Sequence, residues 1–199
     1  MNPLASVRKS CNAIIASGDL QHVTIDAKEV EKYATELLLQ FKDHKKETSV
    51  FALGDGGAVD WDASGMHYCA DVGSLGPRTV QFILVLDALN FCFWPSPGFE
   101  YDTLALALKQ VYENDANAFS ADNLANITEQ TLLSWFSTTD GVGPTIPNVA
   151  ERVDRLREVG SVLRSECDGL AANIVHRANH SAVALVRLML MHFPGFRGI

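Results

Sequence analysis

Apolar positions recur with a helical period over most of the chain. Val7, Cys11, Ile14 and Ile15 share one face of a helix predicted over Leu4–Ser17. Val30, Tyr33, Ala34, Leu37 and Leu38 do the same over Asp26–Phe41, with Asp26 placed as its N-cap. Lys42–Thr48 reads as a charged, solvated turn. Ser49–Gly76 breaks the period with Gly54, Gly56, Gly57, Gly65, Gly73 and Gly76. Within it, Val50–Leu53 and Met66–Ala70 read as short strands. Gly54-x-Gly56-Gly57 lacks the strand–GxxxxGK–helix setting of a phosphate loop, so that reading is rejected.

The helical period returns at Pro77. Pro77–Trp94 is apolar nearly all round, opens on Gly76-Pro77 and stops at Pro95. It is too long for an ordinary strand, so it predicts a central, buried helix. Tyr101–Glu113, Ala121–Asn126 and Thr128–Phe136 follow as helices, and Thr139–Pro147 as a loop. Asn148 with Glu151 three residues on resembles a capping box opening a helix that runs to Cys167. Leu170–Asn179 and Ser181–Phe193 complete the set, with Pro194 as the last stop. The pattern predicts a mainly α fold, with seven or eight helices and at most two or three strands near 49–76, in one domain over 1–199.

Composition narrows the class. The 199 residues are 47% hydrophobic and 20% charged, close to the soluble globular average. No apolar run approaches the ~20 residues of a membrane span, and the N-terminus lacks the apolar core of a signal peptide. The expectation is a cytoplasmic protein without a membrane partner. Sixteen basic against twenty-four acidic residues leave a net charge of −8, which disfavours a nucleic-acid duplex as partner. A single phosphate needs only one or two arginines and stays open. Cys11, Cys69, Cys92 and Cys167 form no C-x-x-C pair and read as reduced, mostly buried residues.

The chemistry concentrates in Pro77–Trp94. At helical spacing Thr79, Ile83, Asp87, Asn90 and Trp94 fall within about 80° of one face. A buried carboxylate needs hydrogen bonds or a counter-charge. Asp87 could meet Arg78, Arg187 or a helix N-terminus, and Asn90 could cap the helix end. Alternatively, Asp87 and Asn90 floor a pocket for a planar polar ligand, with Trp94 as a stacking wall. His176 and His180, with Cys167 or His192, are the metal candidates, but HRANH lacks the Glu of H-E-x-x-H. No G-x-S-x-G signal points to a serine nucleophile. His67 beside Trp61-Asp62 forms a polar–aromatic cluster in a loop.

The stretch Val85-Leu86-Asp87-Ala88-Leu89-Asn90-Phe91-Cys92-Phe93-Trp94 resembles the V-x-D-x-L-N-F-x-F-W hallmark of the queuosine 5′-phosphate N-glycosylase/hydrolase family. Asn2-Pro3, Tyr101–Leu108, Glu151–Gly160 and Phe193–Arg197 are similar to further family motifs. Gly198 stands where that last motif has Asp. The resemblance implies a fold like the helical DNA glycosylases. It also implies hydrolysis of queuosine 5′-phosphate to queuine and ribose 5-phosphate, with no metal or organic cofactor. The implied substrate-binding residues are Asp87, Asn90, Phe91 and Trp94, Trp94 stacking on the base. The F-A-D-Y-R-x-P segment carrying the family's catalytic carboxylate is absent, so that group is expected beyond residue 199, with Asp87 as fallback. On this reading the chain is a shortened member, poorly active alone or a non-catalytic binding or scaffold protein.

Overall fold

The computed structural model describes residues 3–18, 24–43, 65–69, 76–137 and 145–197. The strand predicted over Val50–Leu53 and the Trp61-Asp62 pair lie outside these residues. Among the described residues there are nine α-helices and no strand. The chain divides into two compact units, Met1–Ala63 and Ser64–Ile199.

The first unit contains α1 (Pro3–Ser17) and α2 (Ala27–Asp43). Asp26 caps α2 as expected, its carboxylate accepting the Lys28 N–H at 2.9 Å. Val7, Ile14 and Ile15 on α1, and Val30, Tyr33 and Leu38 on α2, are all exposed.

The second unit is built on α3 (Pro77–Leu89), whose Phe82, Val85, Leu86 and Leu89 are fully buried. Around it stand α4 (Tyr101–Asn114), α5 (Ala121–Ala125), α6 (Glu129–Trp135), α7 (Val149–Glu166), α8 (Ala171–Arg177) and α9 (Ala182–His192). Asp115, Ser120, Thr128 and Ser181 each accept a backbone N–H of the helical turn that follows. The core holds an aromatic cluster. Tyr112 stacks on Phe119 at 4.8 Å between centroids, and Tyr68 meets Tyr112 edge-on at 4.6 Å. The buried Gln81 side chain donates to the Phe119 carbonyl and accepts the Ala171 N–H, tying α3 to two neighbours. Gly160 lets α7 approach the backbone of α5, where a Cβ would lie 2.6 Å from the Ala121 carbonyl oxygen.

Several sequence expectations change. Nine helices are described where the period predicts seven or eight, and Cys11, Cys69 and Cys92 are exposed, Cys167 alone of the four cysteines being buried. Met66–Cys69, the described part of the second predicted strand, is irregular, and it is fixed by packing: His67 and Tyr68 are buried. The central helix ends at Leu89 instead of Trp94. Asn90 is its C-cap, and a long-range donor, Arg152, takes the carbonyls of Leu89, Phe91 and Cys92, so the chain can turn away there with these groups bonded. Asn148 does precede α7, but in a left-handed conformation at φ 53° and without capping it. Its side chain donates instead to the Cys92 carbonyl at 3.2 Å.

Candidate functional site

The site grows from the place where α3 stops. Asp87, Ala88, Asn90 and Phe91 form one side of an open cavity of about 390 Å³. Glu151, Arg155, Glu158 and Val159 of α7 form the other, and Gly195 and Phe196 close it. Glu151, Arg155 and Glu158 are spaced i, i+4, i+7, so helical geometry alone puts them on one side of α7. That spacing was readable in the sequence; the partner it faces was not.

Asp87 makes no ion pair among the described residues. The sequence pattern predicts a buried carboxylate, but Asp87 is exposed on the cavity side; partial desolvation by its neighbours still raises its carboxyl above the usual range, and the charge of nearby His67 partly offsets this. His67 itself is 8% exposed and shares a 2.7 Å hydrogen bond with the Tyr101 hydroxyl. Burial, then the Asp87 and Asp102 charges, push the Tyr101 hydroxyl up. A polar group from α3, one from the start of α4 and one from the 65–69 loop therefore share one electrostatic neighbourhood. Sequence reading placed His67 beside Trp61-Asp62 and did not join it to Asp87.

The cavity brings together Asp87, Asn90 and Phe91. Trp94 is not among its lining residues and is 80% exposed, because the helix that would have carried it around to the same face ends five residues earlier. Phe93 turns inward and packs on Phe99 at 5.7 Å. Glu158 accepts the Gly195 N–H at 2.8 Å and pairs with Arg155 at 3.4 Å, which joins the Pro194–Arg197 turn to α7.

Under the cavity lies Arg152, fully buried. Its guanidinium donates to the carbonyls of Pro147 at 2.7 Å, Phe91 at 2.6 Å, Cys92 at 3.0 Å and Leu89. It also stacks on the Phe91 ring, 4.3 Å from the centroid. Burial lowers its pKa to about 10, so it remains charged at neutral pH.

A second, apolar groove of about 360 Å³ runs between α3, α8 and α9 and shares Asp87 and Phe196 with the first. Of the metal candidates, His192 lies between Glu166 (3.6 Å) and Arg177 (3.2 Å). Among the described residues no three His, Cys, Asp or Glu side chains are grouped to hold a metal ion. No described helix is long and apolar enough to cross a membrane.

The family model described as "Queuosine salvage protein" matches residues 70–199. A Dictyostelium discoideum protein named queuosine 5′-phosphate N-glycosylase/hydrolase is 35% identical over 204 residues, covering 99% of this chain and 57% of that protein. A Sphaerobacter thermophilus protein of the same name is 40% identical over 129 residues, covering 60% of this chain and 39% of its own length. One from Nematostella vectensis is 30% identical over 136 residues, covering 62% and 39% respectively. The chain thus spans between about two fifths and three fifths of the relatives it matches.

Proposed function

Because the chain belongs to the queuosine salvage protein family, we propose that it binds queuosine 5′-phosphate between Asp87, Asn90 and Phe91 and serves hydrolysis of its N-glycosidic bond. The supporting observation is the cavity itself: a carboxyl, an amide and an aromatic ring converge where α3 ends. Queuine is a 7-deazaguanine with a guanine-like edge of donors and acceptors. Asp87 and Asn90 match that edge, and Phe91 supplies an apolar face. Arg155, on the opposite wall, is the group suited to the phosphate.

In the reaction, water adds to the anomeric carbon as the bond to the base nitrogen breaks, and the base leaves with a proton. The sugar passes through an oxocarbenium-like state that a carboxylate stabilises. The base has no N7 to protonate, so leaving-group stabilisation falls to contacts along its edge. Asp87, with its raised pKa, is the carboxyl on the α3 side of this cavity suited to donate or share a proton there. On the same reading the helical unit Ser64–Ile199 has a DNA-glycosylase-like fold and acts in the cytoplasm without a cofactor.

Calorimetric titration with queuosine 5′-phosphate, beside an assay for released queuine, tests this. Binding with turnover is the expected outcome for a hydrolase. Binding without turnover identifies the non-catalytic member. No binding overturns the proposal, and unchanged affinity in Asp87→Asn overturns the role of Asp87.

A further inference from the structure

Arg152 is the largest fully buried side chain and, among the described residues, is bonded to no carboxylate. All its described acceptors are main-chain carbonyls. Those of Leu89 and Phe91 flank Asn90, and that of Cys92 follows. The fourth, Pro147, belongs to the segment leading into α7, so one guanidinium joins the end of α3 to the start of α7. An arginine fork can hold several acceptors in one plane, which a lysine ammonium cannot. Its charge also sits at the negative end of the α3 dipole.

These contacts fall on the two residues that turn from α3 into the cavity. Asn90 is held between two anchored carbonyls, and its N–H is bonded to the Asp87 carbonyl at 3.3 Å. The Phe91 ring, which lines the cavity, rests on the guanidinium. Without that support neither residue has a regular element to hold it, because the helix has ended and Cys92 is at φ 30°.

We infer that Arg152 is a positioning residue: it fixes Asn90 and Phe91 in the geometry that receives the planar base, without touching ligand itself. The inference rests on the proposed reading of the cavity. It predicts that the site loses affinity when the fork is lost even though the positive charge is kept.

The test compares wild type, Arg152→Lys, and Leu132→Ala, a buried position in α6 away from the cavity that serves as the control for general loosening. Amide exchange is followed at Asn90 and Phe91, and affinity is titrated with queuosine 5′-phosphate. Arg152→Lys is expected to lose about tenfold protection at both amides and about tenfold affinity, the size of losing about one well-placed hydrogen bond. Leu132→Ala should lose stability with affinity unchanged. Unchanged protection in Arg152→Lys, or an affinity loss no greater than in Leu132→Ala, overturns the inference. If wild type does not bind the nucleotide, the proposed function fails, and the exchange arm alone decides whether Arg152 positions these residues. If Arg152→Lys does not fold, Phe91→Leu and Phe91→Tyr replace it. Loss of protection at the Asn90 amide in the leucine variant, with protection kept by tyrosine, which can still stack on the guanidinium, supports the inference, and equal protection in both overturns it.

Discussion

The Glu158 carboxylate accepts the backbone N–H of Gly195 at 2.8 Å while its other oxygen faces Arg155. One side chain of α7 thereby holds the Pro194–Arg197 turn against the cavity. Glu158→Gln keeps a carbonyl acceptor for that N–H and should change stability little. Glu158→Ala leaves the N–H without its partner and should cost about 1–2 kcal/mol. Urea unfolding of the two variants, with exchange of the Gly195 amide, checks this. Equal stabilities would show that the latch contributes nothing.

Gly160→Ala should be more damaging. The new Cβ would meet the α5 backbone, lying 2.6 Å from the Ala121 oxygen and 2.7 Å from the Leu124 carbonyl carbon. Backbone cannot move aside as the end of a side chain can, so a loss of about 1–3 kcal/mol is expected. A midpoint of denaturation unchanged from wild type would contradict the close crossing of α5 and α7.

Asp87 gives stability a pH dependence of known sign. Its folded pKa lies above the ordinary 3.8, so between those two values the folded chain binds more protons than the unfolded one. Its contribution therefore falls as pH climbs from the ordinary carboxylate value through the raised one. Asp87→Asn should gain on wild type over that window and keep a constant offset above it. Unfolding midpoints measured from about pH 3 to pH 7 report this directly. A difference that does not vary with pH would show that the carboxyl is not perturbed.

Phe91 and Trp94 should separate cleanly. Trp94→Ala removes an 80% exposed ring, so stability should change by no more than about 0.5 kcal/mol, and nucleotide affinity should hold. Phe91→Ala should weaken binding. If titration shows Trp94→Ala losing as much affinity as Phe91→Ala, the base stacks on Trp94 after all.

The last helix presents apolar side chains on nearly every side, yet none of its residues is buried. Val186 is 45% exposed and Met191 65%. A patch of this kind should bind a hydrophobic reporter dye, and Val186→Lys with Met191→Lys should remove about half or more of the signal. An unchanged signal would place the sticky surface elsewhere.

Much of this molecule was legible in one dimension. The period of the apolar residues located α3 through α9, and the Asp26 cap opened α2 where expected, because both depend on side chains a few residues apart. The motif around Asp87, Asn90 and Phe91 marked the stretch that lines the cavity. What periodicity could not contain was where α3 stops. Apolar character continues through Trp94, but the helix yields at Leu89, because Arg152, more than sixty residues later, supplies the donors its last carbonyls need. The same long-range bond removes Trp94 from the site, and packing at the start of α4 joins His67 to Tyr101. Local spacing determines which residues share a helix face. Which face meets which, and where a buried backbone finds its hydrogen bonds, is decided only when distant segments close on one another.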